Sequence, residues 1–134
     1  MQGVVVGALV RGGRVLLGHR SPDKRAYPGL WDLPGGHIEP GESELGALER
    51  ELLEELGVEI DTSSTSHLCR LTAGPPEEPA LVSAWLVRDW QGTPRNIAPE
   101  EHDDLGWFDL EALPPLAHGL VHTALTRAAR NRRG

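Results

Sequence analysis

Three glutamates close together in the chain are the side chains best suited to chemistry. Glu51, Glu54 and Glu55 lie in the segment ERELLEELG, which spans residues 49–57. On a helix, residues three and four apart share a face, so Glu51 would lie beside the other two. Like charges at this spacing destabilise a helix by about 0.2–0.5 kcal/mol per pair. Clustered carboxylates suit Mg²⁺, with Mn²⁺ as the alternative, and these ions share their remaining coordination positions with water and phosphates.

The surrounding residues predict the helix that would carry these carboxylates. Ser43 suits the N-cap position, with Glu44 in the first turn. Gly57 suits the C-terminal stop. Apolar side chains recur between them at helical spacing, namely Leu45, Leu48, Leu52, Leu53 and Leu56.

The segment before this helix predicts a close approach of backbone to a ligand. The residues WDLPGG at 31–36 are typical of a short apolar strand that ends in a tight turn, and residues 37–42 of a loop into the helix. The paired glycines leave room for a ligand near the main chain. An alternative for the glutamates themselves is a solvated acidic face balanced by Arg50 and Arg70.

The run from Gly36 to Val58, GHIEPGESELGALERELLEELGV, resembles the Nudix box of the Nudix hydrolase superfamily at every fixed position. The resemblance favours a metal site over the solvated acidic face. It also implies an α/β fold, the Nudix α/β/α sandwich, in which a mixed β-sheet lies between helices. It extends over essentially the whole chain, although only the box is highly specific.

The resemblance implies roles for individual residues of the box. Glu54 and Glu55 would be the principal metal ligands, and Glu51 a ligand or a proton acceptor. A backbone carbonyl of the glycine turn, at Gly35 or Gly36, would be a further ligand, and this turn would contact the substrate. The box also implies two supporting residues that form an internal ion pair, Glu42 and Arg50.

Two residues outside the box are candidates for the same site. Glu101 precedes Trp107 at the offset where MutT-type relatives place a glutamate that reaches the metal. Arg20 follows a predicted strand, near where such relatives have a substrate-contacting arginine. A solvated loop at Glu101 and a surface position for Arg20 are the alternatives.

The implied reaction is hydrolysis by attack of water on phosphorus. The resemblance favours a MutT-like nucleoside triphosphate pyrophosphohydrolase, which releases a nucleoside monophosphate and pyrophosphate. An ADP-ribose or nucleotide-sugar pyrophosphatase is the alternative, and a non-catalytic nucleotide-binding module is a third. Relatives that select oxidised guanine have an asparagine after a Pro-Pro pair, whereas Ala117 stands in that region here, so His118 or Asn96 would have to recognise the base.

Composition excludes several other classes of protein. A chain of 134 residues is predicted to form one domain, residues 1–134. Its net charge of −7 argues against general nucleic-acid binding. The resemblance implies a nucleotide-like small molecule as the partner. Cys69 is the one cysteine, so neither an internal disulfide nor a thiolate metal site is possible. The first apolar run is too short and too poorly flanked for a signal peptide, so a cytoplasmic location is expected. A homodimer through apolar strand edges is compatible with the sequence.

The remaining pattern predicts a strand hairpin, three later strands and a final helix. The hairpin strands are residues 4–10 and 15–19, followed by a polar loop at 20–29. Later strands are predicted at 67–72, 80–89 and 106–109, with the final helix at 116–130.

Overall fold

The computed structural model describes residues 1–24 and 26–133, with side chains up to residue 130. Arg25, in the predicted polar loop, and Gly134, at the end of the predicted domain, lie outside the described residues. Within them, the elements in chain order are β1 (Gln2–Arg11), β2 (Arg14–His19), β3 (Trp31–Asp32), β4 (Gly35–His37), α1 (Glu44–Leu56), β5 (Glu59–Ile60), β6 (Thr65–Ala73), β7 (Ala80–Val87), β8 (Trp90–Gln91), β9 (Asp104–Asp109) and α2 (Gly119–Arg133).

Seven of the strands form one mixed sheet, as predicted. Strands β3, β2, β1, β7 and β6 lie side by side in that order, while β4 also pairs with β1 and β9 with β2. The β1 and β7 strands are parallel, with Val4 opposite Val82. The other pairings in this sheet are antiparallel. Strands β5 and β8 form a separate two-stranded ribbon.

The central strand β1 is buried on both faces, which its nearly continuous apolar run VVVGALV predicts. Val5 and Leu9 face a core that includes α1, whereas Val6 and Ala8 face a core that includes α2. This alternation is the period of two that a strand imposes. The sheet therefore lies between the two helices, and the predicted α/β/α sandwich is confirmed.

A glycine in β1 allows α1 to lie close to the sheet. A Cβ atom on Gly7 would come within 3.0 Å of Leu48 and 3.2 Å of Leu52. Real Cβ atoms are rarely this close to a neighbour, so a larger residue would push the helix outward. The glycine thus sets the height of the carboxylate-bearing helix above β1.

The predicted ends of α1 are confirmed. The side chain of Ser43 accepts a hydrogen bond from the backbone N–H of Gly46 at 3.0 Å. Gly57 has a φ of 72°, in the left-handed region, and its N–H donates to the carbonyl of Leu53. Both caps satisfy helix-end groups that would otherwise need water.

Two predicted boundaries are wrong. Gly35 and Gly36 belong to a strand rather than a tight turn, because β4 pairs with β1 and Gly36 lies opposite Val5. The final helix begins at Gly119 rather than Leu116, because the preceding segment pairs with β3: Trp31 donates to the carbonyl of Pro115, and its own carbonyl accepts from residue 117.

The other strand predictions differ from the structure by no more than two residues at either end. Strand β9 begins at residue 104 rather than 106, and β7 ends at residue 87 rather than 89. Neither helix in the described part of the chain combines the length and apolarity needed to cross a bilayer.

Candidate active site

Glu55, in the last turn of α1, has the most unusual environment of the predicted site residues. It is only 4% exposed, and within the described residues neither carboxylate oxygen has a hydrogen-bond partner of good geometry. Burial, followed by the charges of Glu51 and Glu101, raises the pKa of Glu55 to about 9, although the Gly35 amide offsets part of the rise. A buried carboxyl of this kind needs a positive partner before it can ionise.

Glu51 lies against the second glycine of β4. A Cβ atom on Gly36 would lie 2.6 Å from both carboxylate oxygens of Glu51, so any larger residue would displace this side chain. Arg50 Nη1 donates to Glu51 Oε1 at 3.0 Å. One oxygen of Glu51 is therefore held by an arginine, and the carboxylate is held flat over a glycine.

Arg50 links the loop before α1 to the helix. Its Nε and Nη2 atoms donate to the two carboxylate oxygens of Glu42 at 2.8 and 2.9 Å. Its Nη2 also donates to the carbonyl of His37 at 3.1 Å. The hydrogen bond from Arg50 is the main cause that lowers the pKa of Glu42 to about 2. The ion pair expected between these two residues is present.

Glu54 is the most accessible of the three helix carboxylates. Its side chain is 59% exposed, and its Oε2 lies 3.4 Å from Arg50 Nη1. Arg50 thus lies between Glu54 and Glu51 and partly compensates both charges. This contact explains why the crowding predicted from the sequence is tolerated in the helix.

Gly35 can only be a glycine in this structure. Its φ is 154°, and an added Cβ atom would overlap the carbonyl oxygen of Val5 and lie 2.7 Å from Val6 Cα. Strand β4 is consequently pressed directly against β1. A close approach of the backbone to a ligand was the predicted reason for this glycine, and the packing of β4 against β1 is a second reason.

Glu101 lies in the loop that leads into β9 and is exposed. The same loop contacts α1 at Glu55, because the N–H of Ile97 donates to the carbonyl of Glu55 at 3.1 Å. The charge of Glu101 contributes to the raised pKa of Glu55. The next residue, His102, is 7% exposed, and burial is the main cause that lowers its pKa to about 4. His102 was not among the predicted site residues, because a lone histidine in an acidic loop carries no pattern that marks it as buried.

Arg20 lies at a second group of polar side chains. Its Nε donates to the carbonyl of Ala26 at 2.8 Å, and its Nη1 lies 3.8 Å from Asp32 Oδ2. Burial raises the pKa of Asp32, and the charges of His118 and Arg20 act in the opposite direction. Sequence reasoning missed Asp32, although an acid within an otherwise apolar strand was a signal that could have identified it.

Glu55 and the carboxylates around it have the chemistry of a divalent-cation site, since together they offer hard oxygen donors to a cation, and the Glu55 oxygens have no hydrogen-bond partner of good geometry among the described residues. Among the described residues, however, no three acidic, histidine or cysteine side chains are already gathered at metal-binding distance. The contacts of Arg50 with Glu51 and Glu54 account for this arrangement. The donor set fits a divalent cation, provided that these side chains turn from the arginine toward Glu55.

The structure is a mixed sheet between two helices, with acidic side chains beside a glycine-rich strand. The NUDIX domain family matches residues 1–128, and the chain belongs to this family. It is a Nudix hydrolase of the pyrophosphohydrolase type. Enzymes of this family generally use divalent metal ions.

Individual relatives agree with the family assignment. The CTP pyrophosphohydrolase of Escherichia coli (strain K12) is 37% identical over 110 residues, which are 81% of this chain and 76% of that protein. The NAD-capped RNA hydrolase NudC of Chromobacterium violaceum is 35% identical over 127 residues, which are 89% of this chain but 44% of that protein. The crystal structure of a MutT NUDIX hydrolase from Burkholderia pseudomallei superposes with a TM-score of 0.81 at 33% identity, covering 93% of this chain and 95% of the other.

Proposed function

We propose that this enzyme is a nucleoside triphosphate pyrophosphohydrolase that uses Mg²⁺, with Mn²⁺ as the alternative ion. The observation that carries the proposal is Glu55, a buried acid with unpaired oxygens beside Glu51 and a glycine strand. A cation bound here would stabilise the ionised acid and bind the diphosphate of a substrate. The activity named for the Escherichia coli relative, CTP pyrophosphohydrolase, supports a triphosphate as that substrate.

The proposed metal ligands are the carboxylates nearest the glycine strand. Glu54 and Glu55 are the principal ligands, Glu51 and Glu101 are further candidates, and the Gly35 carbonyl is the neutral one. A bound divalent cation would neutralise the negative charge that a diphosphate develops as it is cleaved. Glu42 and Arg50 support the loop and the helix without contacting substrate.

In the proposed reaction, a water oxygen forms a bond to phosphorus and one P–O bond of the anhydride breaks. Pyrophosphate leaves with the electron pair of that bond, and the nucleoside monophosphate remains. The water must release a proton to a nearby acceptor. Glu51 Oε2 is suited to this role, because Arg50 holds only the other oxygen of that carboxylate.

The nucleoside end of the substrate is proposed to lie near Arg20, Asp32 and His118. These side chains interact electrostatically and offer both donors and acceptors to a base or sugar. Ala117 contributes no side-chain hydrogen bond, and its backbone N–H is already donated to the carbonyl of Trp31. Base selection therefore rests on neighbouring polar groups rather than on residue 117.

A substrate panel with Mg²⁺ at alkaline pH tests the proposal. The panel compares CTP, the other canonical triphosphates, 8-oxo-dGTP, ADP-ribose, NAD and dinucleoside polyphosphates, with pyrophosphate and phosphate measured separately. Glu55→Gln is the inactive variant. Glu49→Gln is its matched control, since it removes one negative charge from an exposed position on the same helix.

We expect pyrophosphate release from one or more triphosphates, at equal rates in the wild type and in Glu49→Gln and at a strongly reduced rate in Glu55→Gln. Cleavage of ADP-ribose or NAD alone would contradict the triphosphate proposal and favour the nucleotide-sugar alternative. Tight binding of a triphosphate with no release of pyrophosphate would also contradict it.

A further inference from the structure

The loop between β8 and β9 carries Glu101, yet the side chain of Glu101 does little to fix its own position. It is exposed, and within the described residues the hydrogen bond that ties Glu101 to the loop is a backbone one, from its N–H to the carbonyl of Ala98 at 2.9 Å. A flexible carboxylate on an exposed loop is a poor metal ligand, because ordering it costs conformational entropy. The neighbouring residues must therefore fix the loop.

The next residue, His102, is the buried anchor of this loop. Its imidazole ring lies directly on Gly18 of β2, where a Cβ atom would overlap ring atoms and lie 2.7 Å from Nδ1. Small apolar side chains such as Ala47 and Ala84 pack elsewhere in the core. At Gly18, even the single methyl group of an alanine would overlap the ring of His102. The glycine in β2 is thus matched to the histidine in the loop.

Hydrogen bonds to the backbone of His102 and to Asp103 hold the same part of the loop. Asn96 Nδ2 donates to the carbonyl of His102 at 2.9 Å. The N–H of Asp103 donates to the carbonyl of His19 at 3.0 Å, and His19 Nδ1 lies 2.7 Å from Asp103 Oδ1. The backbone on the C-terminal side of Glu101 is therefore tied to β2 and to the start of the loop.

We propose that His102 is a positioning residue, which rests its ring on Gly18 and thereby directs Glu101 toward Glu55. Consecutive Cα atoms are about 3.8 Å apart, so fixing His102 leaves Glu101 a small range of positions. The inference rests on the proposed function only in assigning Glu101 to the metal site. Partners that orient metal ligands typically contribute about 10–100-fold to metal affinity or activity.

Two single variants separate this role from general packing. Gly18→Ala displaces the ring, and His102→Ala removes it. We expect either change to weaken Mn²⁺ binding about tenfold, measured by electron paramagnetic resonance of free Mn²⁺, and to lower kcat more than it raises KM. In the metal-free protein, amide hydrogen exchange over residues 98–104 should become faster. His122→Ala, at an exposed position of α2, is the control and should leave all three measurements unchanged.

Double variants test whether the effect passes through Glu101. In a Glu101→Gln background, His102→Ala should cause no more than about a twofold further loss of Mn²⁺ affinity, because coupled residues are not additive. In a His102→Ala background, Gly18→Ala should be nearly silent, because the ring that it would strike is gone. If Gly18→Ala fails to fold, the comparison of His102→Ala alone with His102→Ala in the Glu101→Gln background still tests the proposal.

Full additivity with Glu101→Gln would overturn the proposal, as would unchanged Mn²⁺ affinity and exchange in both single variants. Failure of the proposed function is a separate outcome. A wild-type protein that cleaves no triphosphate would contradict that function, while the Mn²⁺ and exchange measurements would still decide the role of His102.

Discussion

Glu42 and Glu55 lie in the same stretch of sequence but in opposite environments. Glu42 receives two hydrogen bonds from Arg50, at 2.8 and 2.9 Å, and one from the N–H of Glu39, and its pKa is lowered to about 2. Glu55 is buried, neither of its oxygens has a hydrogen-bond partner of good geometry among the described residues, and its pKa is raised to about 9. The negative charge of Glu42 is compensated by the chain itself, whereas Glu55 requires a positive partner before it can ionise.

This difference separates the structural part of the site, Glu42, from the part that we propose binds the metal, Glu55. The pair of Glu42 with Arg50 joins the loop after β4 to α1 and needs nothing more. Glu55 is destabilised by burial when ionised, which is a typical property of residues that act in catalysis or metal binding. Each prediction below changes one side of this comparison.

The largest expected effect comes from Glu55→Gln. If Glu55 is a principal metal ligand, as proposed, its loss removes several kcal/mol of charge stabilisation in the transition state, so turnover should fall by at least about 10³-fold. The metal-free variant should nevertheless be more stable than the wild type at pH 8, because the buried ionisable group is gone. Steady-state kinetics and thermal unfolding in a chelator measure the two effects.

The matched control for this variant is Glu49→Gln, which should change neither turnover nor melting temperature beyond the error of measurement. Near-normal activity of Glu55→Gln would refute the ligand assignment. A loss of stability in the metal-free Glu55→Gln protein would refute the claim that Glu55 is poorly compensated.

Removal of Arg50 instead tests the structural part of the site, because it deprives Glu42 of its ion-pair partner. Arg50→Ala leaves Glu42, Glu51 and Glu54 without their shared partner, so both the melting temperature and turnover should fall, turnover by about 10–100-fold. Arg50→Lys should restore little, because an ammonium group cannot replace the two parallel hydrogen bonds to Glu42. Full recovery of activity in Arg50→Lys would show that charge alone is sufficient.

The sequence was enough to predict the fold and the contacts within α1. The caps at Ser43 and Gly57 and the leucine stripe follow from local rules, so the helix and its ends were predicted correctly. The pairing of β4 with β1 was missed, because it joins residues about thirty positions apart and has no local signal. The start of α2 was wrong for the same reason, since a bridge to β3 occupies residue 116.

The environment of the site residues was less predictable than their identity. Helical spacing places Glu51 near Glu55, but only the packing of α1 on the sheet decides that Glu55 is buried and Glu54 is exposed. The match between Gly18 and His102 joins two segments far apart in the chain and carries no pattern in one sequence. Roles that depend on tertiary contacts therefore required the structure.

The contributions of Glu55 and Glu42 to the free energy of unfolding should depend on pH with opposite signs. The pKa of Glu55 in the folded chain, about 9, is above the ordinary value of 4.5, so metal-free stability should fall as pH rises from about 4.5 toward 9. The slope is at most about 1.4 kcal/mol per pH unit. For Glu42 the folded value is about 2, so its contribution is present above pH 4.5 and is lost as pH falls toward 2.

Chemical denaturation between pH 3 and 9, with chelator, measures both trends. The stability difference between Glu55→Gln and the wild type should grow with rising pH, and saturating Mg²⁺ should reduce it, since an ion that binds only the folded state stabilises it. The difference between the wild type and Glu42→Gln should shrink below pH 4.5. Parallel curves for all three proteins would contradict both pKa assignments.

The smallest effect is expected at Arg20. Its partner, Asp32, is intermediate between Glu42 and Glu55 in how far its negative charge is compensated. Asp32 is only partly buried, with 14% of its side chain exposed, and Arg20 Nη1 lies 3.8 Å from its Oδ2, too far for a hydrogen bond. Loose ion pairs of this kind contribute about 0–1 kcal/mol, so Arg20→Gln should change stability little.

If Arg20 contacts the substrate, KM for the preferred triphosphate should rise about tenfold with kcat nearly unchanged, because a charge-assisted hydrogen bond is worth about 1.5–3 kcal/mol. Arg88→Gln, at an exposed position beyond β7, is the matched control, and an equal KM in Arg20→Gln and this control would remove Arg20 from the substrate site.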